Sequence, residues 1–113
     1  MGYCADIYVI NQTRSRIKAL QFLDHFIADR SVHGSVFTIP LLSKYPEFQF
    51  NDVNELMIHL ESQENLDYSI YWSNLDKMSP ILFGMIFYTL DSHMIFGISR
   101  LTGGKDSNEI EKS

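Results

Sequence analysis

The spacing of apolar and polar positions changes period several times along this chain, and each change marks an element. Tyr3 to Ile10 is short and rich in β-branched and aromatic residues, which predicts a first strand. Asn11 to Ser15 offers several N-cap candidates. From Arg14 to about Asp29 apolar residues then fall at Ile17, Leu20, Leu23 and Ile27, with Phe22 and Phe26 beside them. That is helical spacing with a wide apolar face.

The segment from Arg30 to Pro46 lacks a clear period. Ser31 to Gly34 reads as a loop, and Val36 to Ile39 as a short strand that Pro40 and Pro46 limit to an edge or an irregular segment. Glu47 to Phe50 alternates as a strand does. Asp52 can cap a second helix, with Glu55 at the capping-box position and a stripe of Val53, Leu56, Met57 and Leu60 behind it. Three strands follow, over Tyr68–Ser73, Ile81–Leu90 and His93–Arg100. Thr102 to Ser113 has no period and reads as a disordered tail after a single domain spanning 1–101. The order predicts an α+β fold: two helices packed on one face of a mostly antiparallel sheet, ending in a three-strand meander.

Register decides which side chains such a sheet shows to solvent. A two-residue hairpin loop at Asp91-Ser92 sets Leu90 opposite His93, Tyr88 opposite Ile95, Ile86 opposite Gly97 and Gly84 opposite Ser99. Ile81, Phe83, Met85, Phe87, Met94, Phe96 and Ile98 then share the other, continuously apolar face, which belongs beneath the helices. In Tyr68–Ser73, Ile70 and Trp72 go with the core, and Ser69, Tyr71 and Ser73 point away. The expected open face therefore displays Tyr71, Ile86, Tyr88 and Ile95 around Gly84 and Gly97, with His93 at its edge. Apolar patches of this kind mark interaction sites, and strand glycines permit close approach. The alternative is that residues 30–46 or the tail fold over it.

Composition narrows the classes of function. The 113 residues are 45% hydrophobic and 20% charged, a globular mix, with a net charge of −5. Nine scattered Lys and Arg do not form the basic patch that phosphate contacts need, so no nucleic-acid partner is expected. No apolar run approaches the ~20 residues of a membrane helix, and a cytoplasmic location without a membrane partner is expected. Cys4 is the only cysteine, which excludes an intrachain disulfide and a cysteine-based metal site; a lone thiol on a first strand is expected to be buried and inert.

The candidate chemistry is sparse. His25, His33, His59 and His93 show no metal-ligand spacing, and neither a nucleophile elbow nor a phosphate-binding loop is present. Asp67, Asn74, Asp76 and Lys77 flank the Trp72 strand and are read mainly as turn formers. No cofactor or metal is expected.

The "IYWSNLD" stretch (Ile70–Asp76), the preceding helix-strand-helix order and the terminal hairpin resemble small acidic uncharacterised bacterial α+β proteins. Some proteins of this size and charge are of the toxin-immunity type. The resemblance implies a protein-binding role and assigns no residue. The expectation is a non-enzymatic chain that binds a protein partner or a second copy of itself through Tyr71, Ile86, Tyr88, Ile95, Gly97 and His93. A small-molecule site in the same concavity, using Tyr71, Tyr88 and His93 as polar groups, is the alternative.

Overall fold

The computed structural model describes residues 4–11, 13–39, 44–45, 47–63 and 66–101; the side chains of Cys4 and Asn11 also lie outside the described set. The expected tail and the expected burial of Cys4 therefore fall outside it. The strands are β1 (Cys4–Asn11), β2 (Arg30–Val32), β3 (Phe37–Ile39), β4 (Phe48–Phe50), β5 (Tyr68–Asn74), β6 (Ile81–Tyr88) and β7 (Met94–Leu101). The helices are α1 (Arg16–Phe26) and α2 (Val53–Ser62). Five strands form an antiparallel sheet in the order β1-β7-β6-β5-β2, and β3 and β4 form a separate hairpin. The chain is α+β, as its pattern predicts.

Each helix starts where a side-chain oxygen is available. The Ser15 hydroxyl accepts from the Lys18 N–H at 3.2 Å, and the Asp52 carboxylate accepts from the Asn54 N–H at 2.9 Å. α1 stops at Phe26, short of the expected Asp29, and buries Ala19 and Leu23, with Ile27 buried at its C-cap. Ile17 does not join that stripe and is 65% exposed. At 3.6 residues per turn it lies about 120° around the helix from Leu23. α2 buries Leu56, Met57 and Leu60, the stripe read from the sequence.

The helices cover one face of the sheet. On it lie Tyr68, Ile70 and Trp72 of β5, Gly84, Ile86 and Tyr88 of β6, and Met94, Phe96 and Ile98 of β7. Phe37 and Ile39 join the same core, so the β3–β4 hairpin lies on the helix side and not over the opposite face. Residues expected to be a loop contain β2, which pairs with β5, and the His33 N–H continues that ladder to the Tyr71 carbonyl at 2.8 Å.

One turn corrects the expected register. Tyr88 opposes Met94, Phe87 opposes Ile95, and Ile86 opposes Phe96. The Thr89 N–H donates to the His93 carbonyl at 3.1 Å and the Ser92 N–H to the Thr89 carbonyl at 3.2 Å. The loop is thus three residues, Leu90-Asp91-Ser92, with Ser92 left-handed at φ 72°. One extra loop residue slides β6 by one position against β7, and a slip of one exchanges the faces of a strand. Ile86 and Tyr88, expected on the open face, are 0% and 2% exposed beneath the helices. Phe83, Met85 and Phe87, expected in the core, take their places outside. Leu82 is the extra residue at an irregularity between Ile81 and Phe83, which leaves Ile81 packed on the core.

Candidate protein-binding face

The outer face of the sheet is assembled by register alone. Tyr8 lies opposite Gly97, Gly97 opposite Met85, and Met85 opposite Tyr71, a single row across β1, β7, β6 and β5. Phe87 and Ile95 form the next row on one side, and Phe83 with Ser73 and Ser99 the row on the other. Asp6, Ile10 and Ser69 complete the surface. Period-two alternation delivers every one of these side chains to the same side.

The rings on this face touch in series. Tyr8 and Phe87 have centroids 6.0 Å apart, Phe87 meets Tyr71 edge-on at 5.9 Å, and Tyr71 stacks with His33 at 6.4 Å. His33 then meets Phe83 edge-on at 6.0 Å. The spacings fall within the range in which aromatic pairs attract. His33 is held in place by a 2.6 Å hydrogen bond between Nε2 and the Ser73 hydroxyl. Met85 fills the space beneath the rings and is 7% exposed, whereas Tyr8, Tyr71 and Phe83 are 50%, 41% and 40% exposed. The series runs from one edge of the sheet to the other with no Asp, Glu, Lys or Arg in it.

The expected site residues divide between the two faces. Tyr71, Ile95 and Gly97 lie on the outer face, while Ile86 and Tyr88 lie in the core. The two strand glycines serve the chain itself. A Cβ at Gly84 would meet Ile27 Cδ1 at 2.4 Å and Leu23 Cδ2 at 3.2 Å, so this glycine lets α1 close on β6. A Cβ at Gly97 would meet the Tyr8 ring at 2.8 Å. The gap expected there for a partner is already covered by that ring, an arrangement in which an aromatic shields a strand glycine.

His93 stands apart from this face, in the hairpin turn. Its Nδ1 lies 3.3 Å from an Asp91 oxygen, and its N–H donates to the Thr89 hydroxyl at 3.2 Å. Thr89 Oγ1 also donates to Asp91, and this bond, more than the neighbouring His93, holds the carboxyl below its ordinary pKa. The Asn74–Ser79 turn is built as its residues suggest. The Asn74 amide donates to the Ile81 carbonyl at 2.8 Å, and Asn74 and Asp76 oxygens accept from the N–H groups of Asp76 and Met78.

Phe83, Phe87, Tyr8 and His33 are the surface residues that sequence reasoning missed. The first two follow from the turn. Asp-Ser supplies neither glycine nor asparagine at a position needing positive φ, so it is a poor two-residue loop, and that signal was present. His33 depends on a three-residue edge strand too short to show a period. Among the described residues no group of three or more His, Cys, Asp or Glu could hold a metal ion, and no helix is long and apolar enough to cross a membrane. Comparison with protein families, curated proteins and solved structures finds none that matches this chain.

Proposed function

We propose that this protein acts by binding another polypeptide through the outer sheet face, with Tyr8, Tyr71, Phe83 and Phe87 as anchors, and catalyses no reaction. The observation that carries this reading is the exposed ring series, on which no other described element packs, since the helices and the β3–β4 hairpin all lie on the opposite side. Aromatic residues dominate the energetic centres of protein interfaces, because two torsions order a large contact area. A small-molecule site in the same region is less well supported. The hollows at its margins, lined by His33, Phe37 and Tyr71 or by Ser73, Asp76 and Phe83, measure about 220 and 190 Å3. Ligand pockets more commonly span ~300–1,000 Å3.

The finer form of the proposal is an inhibitor of the immunity type in the bacterial cytoplasm, whose partner is the product of an adjacent gene. The net charge of −5 suits a basic partner. Co-expression with that product tests it: the wild-type chain should co-purify in stoichiometric amount. Phe83→Ser should weaken binding by at least about 30-fold, the effect of losing an anchor worth ~2 kcal/mol. Equal retention by wild type and Phe83→Ser would remove the outer face from the interaction.

A further inference from the structure

The two edges of the five-stranded sheet are built differently. β2 is three residues long, and its Arg30 is tied to Asp24 at 2.7 Å. A short strand carrying a charge is a common way to protect an edge from pairing. β1 is eight residues long, contains no Lys, Arg or Pro, and has Asp6 as its one charged residue. Ile7, Tyr8, Val9 and Ile10 are 44%, 50%, 55% and 68% exposed in succession. Apolar side chains therefore stand uncovered on both sides of this edge. Ile7 and Val9 lie on the helix side, opposite Ile98 and Phe96, and α1 leaves them open. Among the described residues β7 is the one ladder partner of β1, so a full row of its backbone N–H and C=O groups faces outward.

We infer that β1 pairs antiparallel with β1 of a second copy of this chain, about a two-fold axis at Tyr8, to form a continuous ten-stranded sheet. The inference rests on reading the outer face as a polypeptide-binding surface and names one partner for its edge. Three observations favour a second copy. First, the strand is its own complement. A two-fold axis perpendicular to the sheet keeps helix side with helix side, and centring it on Tyr8 sets Ile7 opposite Val9 in both directions.

Second, this register keeps like charges apart. Asp6 faces Ile10 of the second copy, and the two Asp6 carboxylates sit four residues, or about 14 Å, from each other along the strands. Centring on Ile7 would halve that separation, and centring on Val9 would set Ile7 against Asn11. Third, the ring series ends on Tyr8 in the edge strand, so the two-fold sets Tyr8 of one copy opposite Tyr8 of the other. The ring series of both copies then lie on the same side of the continuous sheet. Tyr8 is already oriented, since its hydroxyl donates to Asp6 at 3.2 Å and its ring covers Gly97.

Light scattering on the full chain across a dilution series tests this directly. The expected particle is twice the mass of the chain and dissociates on dilution. Val9→Lys places an ammonium opposite Ile7 of the second copy and should raise the dimer dissociation constant more than tenfold. Ile10→Lys instead faces Asp6 of the second copy and should leave the dimer intact or tighten it. Both sites are more than half exposed, and circular-dichroism spectra that match the wild type establish that the variants fold.

Phe83→Ser, two strands in from β1 and outside the β1–β1 seam, should leave the dimer in place whether or not the outer face binds anything else, which separates the two proposals. A monomer at every concentration overturns the inference, as does a Val9→Lys protein that dimerises like wild type. Equal disruption by Val9→Lys and Ile10→Lys overturns the register at Tyr8. Self-association that appears only after removal of residues 102–113 assigns the edge to the chain's own C-terminal segment and overturns the second copy.

Discussion

Arg14 sits where four segments meet. Its guanidinium donates to the carbonyl of Leu60 at 2.7 Å and of Thr89 at 2.6 Å, and also to those of Gln63 and Leu66. The charge is 8% exposed and lies 5.2 Å from the centre of the Tyr88 ring. It thereby caps the C-terminus of α2, where the helix dipole favours a cation, and ties the α2–β5 connection to the β6–β7 turn. Burial drives the Tyr88 phenol far above its ordinary pKa, and the neighbouring guanidinium offsets part of that rise. Arg14→Leu keeps much of the volume and removes every donor. Each buried carbonyl left without its partner costs about 1–3 kcal/mol. The variant should lose at least ~2 kcal/mol in a chemical denaturation experiment, and a change below 0.5 kcal/mol would show that water replaces the guanidinium. Nothing in the local sequence marks this role. Arg14 stands among helix-capping candidates, and its acceptors come from residues 46 to 75 positions away.

The elements themselves were legible wherever one period ran long enough. The stripe of α2 and the alternation of β5 put Leu56, Met57, Leu60, Ile70 and Trp72 in the core, where they lie. β7 was likewise read with the correct face inward. β6 was not, because Ile81 to Tyr88 is apolar on both faces and its own pattern cannot choose between them. The choice passed to the hairpin, whose length is set by weak turn chemistry. Ser92 holds φ 72°, a conformation that costs an L-residue about 1–2 kcal/mol. Ser92→Gly should therefore leave the loop at three residues and raise stability by up to about 1 kcal/mol, after the greater unfolded-state entropy of glycine. A loss of stability in thermal melts would mean that Ser92 does not occupy that position. The candidate face inherits this uncertainty in the sequence. Tyr71, Ile95 and Gly97 were placed on strands with one clear face, and Ile86 and Tyr88 were misplaced with β6.

For the whole molecule, the consequence of one turn is a division of labour between two sheet faces. The helix side holds the core, with Tyr88, Ile86 and Trp72 at 2%, 0% and 3% exposure. The outer side holds rings that meet solvent and, in the proposed function, a partner. The binding face depends on β6 presenting Phe83, Met85 and Phe87 outward. The most direct measurement is a side-by-side denaturation of Ile86→Ser and Phe83→Ser. With β6 in this register, Ile86→Ser leaves a polar group and a cavity under α1 and should cost about 3–5 kcal/mol. Phe83→Ser, at a site already 40% exposed, should cost no more than about 1 kcal/mol. The reverse order, with Phe83→Ser the more damaging, would mean that β6 faces the other way and that the outer aromatic surface does not exist.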